Sequence, residues 1–146
     1  SSSASFTSSN LNGFTMASII FISLPPYQTS PWRSAYIGTG VVAGYPDYPF
    51  YFGGDTEVSI MGILIAGLHE TAKESLRLLG AVGMRQNGRI PHCVVTNGEV
   101  YDPGNIGETT LFMKSVWDTY LWSGDDEFLK QMYAVCKVCM FDYVLK

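Results

Sequence analysis

Four stretches of the chain carry apolar residues dense and regular enough to predict helices, and two stretches rich in turn residues interrupt them. The first, 56–68, holds Val58, Ile60, Met61, Ile63, Leu64, Ile65 and Leu68. It is apolar on every side, which predicts a helix buried all round. After a break near His69, 70–85 is amphipathic, with Ala72, Leu76, Leu79 and Gly83 on one stripe and Lys73, Glu74 and Arg77 facing away. The third, 108–122, sets Leu111, Phe112, Met113, Val116, Trp117, Tyr120 and Leu121 around most of its circumference and predicts a second buried helix. Ser123, Gly124 and Asp125 stop it and start the fourth, 126–145. Here Phe128, Met132, Val135, Cys139 and Tyr143 share one stripe, opposite Lys130 and Lys137.

The segment 38–54 is built of Gly, Pro and aromatic residues, and Pro46 and Pro49 forbid helix there. It ends at Asp55, a residue type suited to cap the helix that follows. A second long connection, 87–107, carries Asn-Gly and Asp-Pro-Gly turn signals. The order is therefore loop, buried helix, outer helix, twice over. Two antiparallel helices separate the loops, so both emerge on one face, and Asp55 and Glu108 are expected together at the N-terminal ends of neighbouring helices. The pattern predicts an all-α fold of inner and outer helix pairs, a toroid or solenoid in which each pair stacks on its neighbours. No residue-level repeat relates the two units, which disfavours a simple helical array.

Residues 1–9 are serine-rich, and the apolar run 16–24 is far shorter than the roughly 20 residues a membrane helix needs. No Lys or Arg precedes Arg33, so a secretory signal is disfavoured. The expected division is a poorly structured segment 1–36 and a domain over 37–146. Across its 146 residues the chain has 9 Lys+Arg against 13 Asp+Glu and a formal net charge of −4, which leaves no basic patch for a phosphate backbone and argues against nucleic acid. Aromatics are frequent and crowd into the loops, which suits a flat, neutral, hydroxylated ligand. The cysteines, Cys93, Cys136 and Cys139, are odd in number and read as small buried hydrophobes kept reduced in a cytoplasm. With only His69 and His92, a zinc cluster is disfavoured, and neither metal nor cofactor is expected.

Four motifs stand in order: Ala43-Gly-Tyr-Pro-Asp-Tyr-Pro-Phe-Tyr-Phe-Gly-Gly-Asp-Thr-Glu57, Asn87-Gly-Arg-Ile-Pro-His92, Pro103-Gly-Asn-Ile-Gly-Glu-Thr109 and Val116-Trp-Asp-Thr-Tyr-Leu-Trp-Ser-Gly-Asp125. Together, over about 37–146, they resemble the amylo-1,6-glucosidase-like and processing-glucosidase-like glycoside hydrolases of the (α/α)6-toroid class. The resemblance implies hydrolysis of α-glucosidic, glycogen-type linkages with inversion, and an oligosaccharide substrate. It implies a hydroxyl-binding role for Asp55, apolar sugar contacts for Phe52 foremost among Tyr45, Tyr48, Phe50 and Tyr51, and pocket positions for Arg89, His92 and Glu108. As alternatives from the residues alone, Asp55 serves as a plain helix cap and Glu108 as a complement to a helix dipole. The sequence departs from the family pattern at Cys93, where relatives tend to have Glu, and at Gly107, where Gln is common.

Inverting hydrolysis needs two carboxyl groups about 6.5–9.5 Å apart. By resemblance these lie on loops of later helix pairs, and a twelve-helix toroid needs on the order of 190 residues. The chain is accordingly expected to be an incomplete catalytic domain that completes its site with the rest of a parent domain, binds sugar without turning it over, and leaves Ile60, Leu64, Leu111 and Trp117 partly exposed. A non-catalytic helical module that binds a glycan or a protein is the contrasting possibility.

Overall fold

Turn residues set the limits of four helices: α1 (Gly53–Ile65), α2 (His69–Arg85), α3 (Ile106–Ser123) and α4 (Asp126–Val138). The computed structural model describes residues 20–21, 38–44 and 47–146. Gly67 at φ +77° turns the chain from α1 into α2, and Gly124 at φ +62° ends α3 in the left-handed conformation that glycine adopts without a Cβ penalty. Asp125 then caps α4, its side chain accepting the Phe128 N–H at 3.0 Å. The sequence predicted one unbroken helix to 145. The backbone instead widens into a π-helix over Cys139–Val144.

The expected all-α fold is corrected to a mostly helical one with small antiparallel sheets. Strand β1 (Ile20–Phe21) pairs with β2 (Val41–Val42), Ile20 opposite Val42 and Phe21 opposite Val41. A second sheet has the order β3 (Tyr51–Phe52), β4 (Cys93–Val94) and β5 (Val100–Asp102). Phe52 stands opposite Cys93, and Cys93 opposite Asp102. This sheet ties together the two long connections that the helix order places on one face. The expectations for 1–36 and for Tyr45 lie outside the described residues, apart from the backbone of Ile20 and Phe21.

One core runs through α1–α4 and the edge of the sheets. It includes Val41, Val42, Tyr51, Ile60, Leu64, Leu76, Leu79, Ile90, Phe112, Phe128 and Met132. The stripe Ala72, Leu76, Leu79 and Gly83 is buried as the periodicity requires, as are Phe128, Met132 and Cys139 on the last stripe. The two inner helices are not buried all round. Val58 is 79% exposed and Ile65 66% on α1, while Leu111, Trp117 and Leu121 are exposed on α3. Of the four residues expected to be partly exposed, Leu111 and Trp117 are exposed, whereas Ile60 and Leu64 are fully buried.

Lys73 also departs from expectation. It was assigned to the outward face of α2, yet it is buried, with its Nζ 2.7 Å from Glu70 and 2.7 Å from Asp125. Two carboxylates offset the desolvation of one ammonium, which is the condition for burying it. Hydrogen bonds to Asp125 and then Glu70 outweigh that desolvation and raise its pKa further. Asp125 thereby both starts α4 and locks it to α2.

Close packing between the second sheet and α1 demands glycine at position 53. A Cβ there would fall 2.2 Å from the Pro91 carbonyl oxygen, a backbone atom that cannot swing aside. Gly53→Ala is expected to destabilise the fold by about 1–3 kcal/mol by forcing β3 and β4 apart. Urea unfolding measures it, and an unchanged midpoint would show that the contact is not held.

Candidate functional site

Helix α1 starts three residues earlier than predicted, and so does its cap. Phe52, not Asp55, is the N-cap, and its side chain makes no capping hydrogen bond. The backbone supplies a partner for one free N–H, that of Gly53, which donates to the His92 carbonyl at 2.9 Å; the Thr56 side chain adds a hydroxyl that donates to the Phe52 carbonyl. Asp55 therefore sits in the first turn, exposed, where its charge complements the helix dipole.

Helix α3 begins at a capping box. The Asn105 side chain accepts from the Gly107 N–H, and the Glu108 side chain accepts the Asn105 N–H at 2.8 Å through Oε2. The other Glu108 oxygen, Oε1, lies 3.0 Å from His92 Nδ1. Burial works to raise the Glu108 pKa, but the backbone N–H groups and His92 outweigh it and hold the carboxyl below the usual range. The His92 side chain is 44% exposed, and its ring meets the edge of Phe52 at a centroid distance of 6.1 Å and an interplanar angle of 83°. The structure thus brings Phe52, His92 and Glu108 together, with Asp55 on the neighbouring first turn.

Arg89 takes a different position. Its guanidinium donates to the Gly104 carbonyl and lies over the Tyr143 ring at 5.7 Å. That contact fastens the loop ahead of α3 to the π-helix. Gly104 is at φ +80°, and a Cβ there would meet the Ile90 carbonyl oxygen at 2.3 Å. Among the aromatics of the first loop, Tyr51 is fully buried and donates its hydroxyl to the Gly38 carbonyl at 2.7 Å, so it packs the loop onto the core. Tyr48 is exposed and Phe50 is stacked near Tyr101. Cys93 is buried on β4, its thiol pushed up to about 11 by desolvation and then by Asp102.

One residue of the site was missed in the sequence. Glu57 is 7% exposed, and neither of its carboxyl oxygens has a hydrogen-bond partner among the described residues. Burial first, and then the negative charge of Glu108, push its pKa up to about 9, so it carries a proton at neutral pH. The buried positions of α1, which are Gly53, Thr56, Glu57, Ile60, Ile63 and Leu64, recur at three- and four-residue steps. That spacing places Glu57 on the inner stripe, and the signal in the sequence was a lone acid within an apolar run.

Where the two helices begin, the ionised Glu108 carboxylate, the His92 imidazole and the Phe52 ring edge meet, while the protonated Glu57 carboxyl is buried. The chain belongs to the amylo-alpha-1,6-glucosidase family, whose model matches residues 16–145, a debranching-enzyme-like group of glycoside hydrolases. No curated protein and no solved structure matches the chain. Among the described residues no group of three or more His, Cys, Asp or Glu side chains is placed to hold a metal ion, and no helix is long and apolar enough to cross a membrane. An open cleft of about 320 Å³, lined by Leu78, Ala81, Val82, Arg85, Asn97 and Gly98, contains none of the residues above.

Proposed function

We propose that the chain is the sugar-binding part of a larger (α/α)6-toroid glycoside hydrolase that cleaves α-glucosidic, glycogen-type linkages. In this reading Asp55 binds sugar hydroxyls, Phe52 lies against a C–H face of the pyranose, and His92 and Glu108 complete the polar wall. Arg89 acts by holding the loop before α3 in place. The supporting observation is the meeting of two distant motifs: pairing of β3 with β4 sets Phe52 against the His92 ring, and His92 against Glu108. The exposed apolar faces of α1 and α3 fit helices that belong to further hairpins of such a domain.

The acid and base that cleave the bond belong, on this reading, to later helix pairs. Binding the ground-state sugar lowers its free energy without selectively lowering the barrier. The 146-residue chain is therefore expected to bind maltose, isomaltose or an aryl α-glucoside at millimolar concentration and to turn none of them over. Asp55→Ala should weaken that binding about tenfold, the effect of one lost hydrogen bond to a charged group. Isothermal titration and a glucose-release assay check both points. Failure of every sugar to bind would sink the proposal, and turnover well above the Asp55→Ala control would place the acid and base within this chain.

A further inference from the structure

Glu108 has been grouped with the residues that touch sugar, but both of its oxygens are already engaged. Oε2 accepts the Asn105 N–H and Oε1 lies at hydrogen-bond distance from His92 Nδ1. Its side chain is 11% exposed, against 44% for His92. The carboxylate is the less exposed member of the pair, and the imidazole is the more exposed one.

An ionised carboxylate can only accept, so the atom facing it must donate. Nδ1 therefore carries the hydrogen, and on a neutral ring Nε2 is left as a lone-pair acceptor. Phe52 limits rotation of the same ring through its edge contact. Glu57 does not compete for the proton-donating side of His92, because it has no hydrogen bond to any described residue.

Resting on the sugar reading above, we propose that His92, through Nε2, accepts a hydrogen bond from a hydroxyl of the bound neutral sugar, and that Glu108 is a positioning residue that selects this tautomer without touching the ligand. The ligand class is narrowed accordingly. The position favours a group with an O–H to give, and disfavours an ether oxygen or an anion such as a sugar phosphate, which offers its oxygens as acceptors.

Glu108→Gln isolates the tautomer from the fold. The amide has one acceptor oxygen, and the Asn105 N–H at the start of α3 requires it. The NH₂ then faces Nδ1, which becomes an acceptor, and the ring hydrogen moves to Nε2. The capping box survives, so α3 should keep its start.

The test is the 15N spectrum of histidine side chains in the 146-residue chain at pH 8, with His69→Gln used to assign the two rings. Maltose and methyl α-glucoside are titrated into wild type, Glu108→Gln and His92→Phe. The expected result is an Nδ1–H ring for His92 in the wild type, an Nε2 resonance that moves as sugar binds, and an Nε2–H ring in Glu108→Gln with affinity about tenfold lower. His92→Phe should lose a similar factor. An Nε2–H or doubly protonated ring in the wild type overturns the inference while sugar binding stands, as does unchanged affinity in both variants. An Nδ1–H ring that responds to neither sugar, in a chain that binds neither, overturns the sugar reading itself and the ligand half of this inference with it.

Discussion

Glu57→Gln is expected to stabilise the fold at pH 8 by on the order of 5 kcal/mol and to remove most of its pH dependence between about pH 5 and 9. The wild-type carboxyl has its folded pKa raised to about 9 from an ordinary value of 4.5. Between those values the folded chain keeps a proton that the unfolded chain has released. Stability must then fall as pH rises, by about 1.4 kcal/mol per unit. The other shifted groups act elsewhere. Glu108 and Asp125 have lowered values, so they add stability that is lost only toward acid. Lys73 and the three thiols have raised values and act above about pH 9. Gln has the shape of the neutral acid and cannot ionise, so the two chains should be alike below pH 4.5 and diverge above it. Urea midpoints taken from pH 4 to 9 decide the matter. Parallel curves for the two chains would mean that Glu57 is ionised in the fold and has found a cation.

Phe112→Ala is expected to cost about 3–5 kcal/mol, while Trp117→Ala, on the same helix, should cost less than about 1 kcal/mol. The larger ring is the one expected to matter less, because of where each points. Phe112 is fully buried, and its Cζ would lie 3.2 Å from a Cβ built on Gly80 of α2. Removing it opens a cavity between α2 and α3 that rigid neighbours cannot close. Trp117 is 51% exposed and leaves no such void. The comparison, made by urea unfolding at fixed pH, tests whether α3 has one packed face or two. Equal losses would show that Trp117 is covered in solution.

The four helices were legible because glycine, proline and aspartate punctuate them, and because α2 and α4 alternate polar and apolar faces clearly. What the apolar runs of α1 and α3 withheld was phase. When nearly every position is apolar, periodicity no longer says which side faces inward, so Val58 and Leu111 could not be told from Ile60 and Phe112. Lys73 misled for the opposite reason. Its charge argued for solvent, and its partner Asp125 lies some fifty residues away in sequence. The second sheet left no trace in the pattern, since strands of two or three residues are too short to alternate. Of the site, Phe52, His92, Glu108 and Asp55 were reached through family likeness, and their grouping at two helix starts followed from helix order. Glu57 was hidden by the same apolar run that obscured α1, although a lone acid on a buried stripe is the signature to search for.

The pairing of Phe52 with Cys93 closes a chain segment of about forty residues that contains both α1 and α2. In a disordered chain, closing such a loop carries an entropy cost of roughly 3 kcal/mol, which the sheet contacts meet only after the antiparallel helices have brought the ends of the segment toward each other. The helical hairpin can therefore form early and without the sheet, whereas His92 reaches Phe52 only when the distant ends join. Backbone amides of β3 and β4 should exchange with solvent through openings that leave α2 protected, and each such opening separates Phe52 from His92 and so dismantles the proposed sugar wall while the hairpin stays intact. Ligand occupancy and closure of this clasp are thus linked quantities, so that a saturating sugar should slow hydrogen exchange at Cys93 and Val94 far more than in the middle of α2.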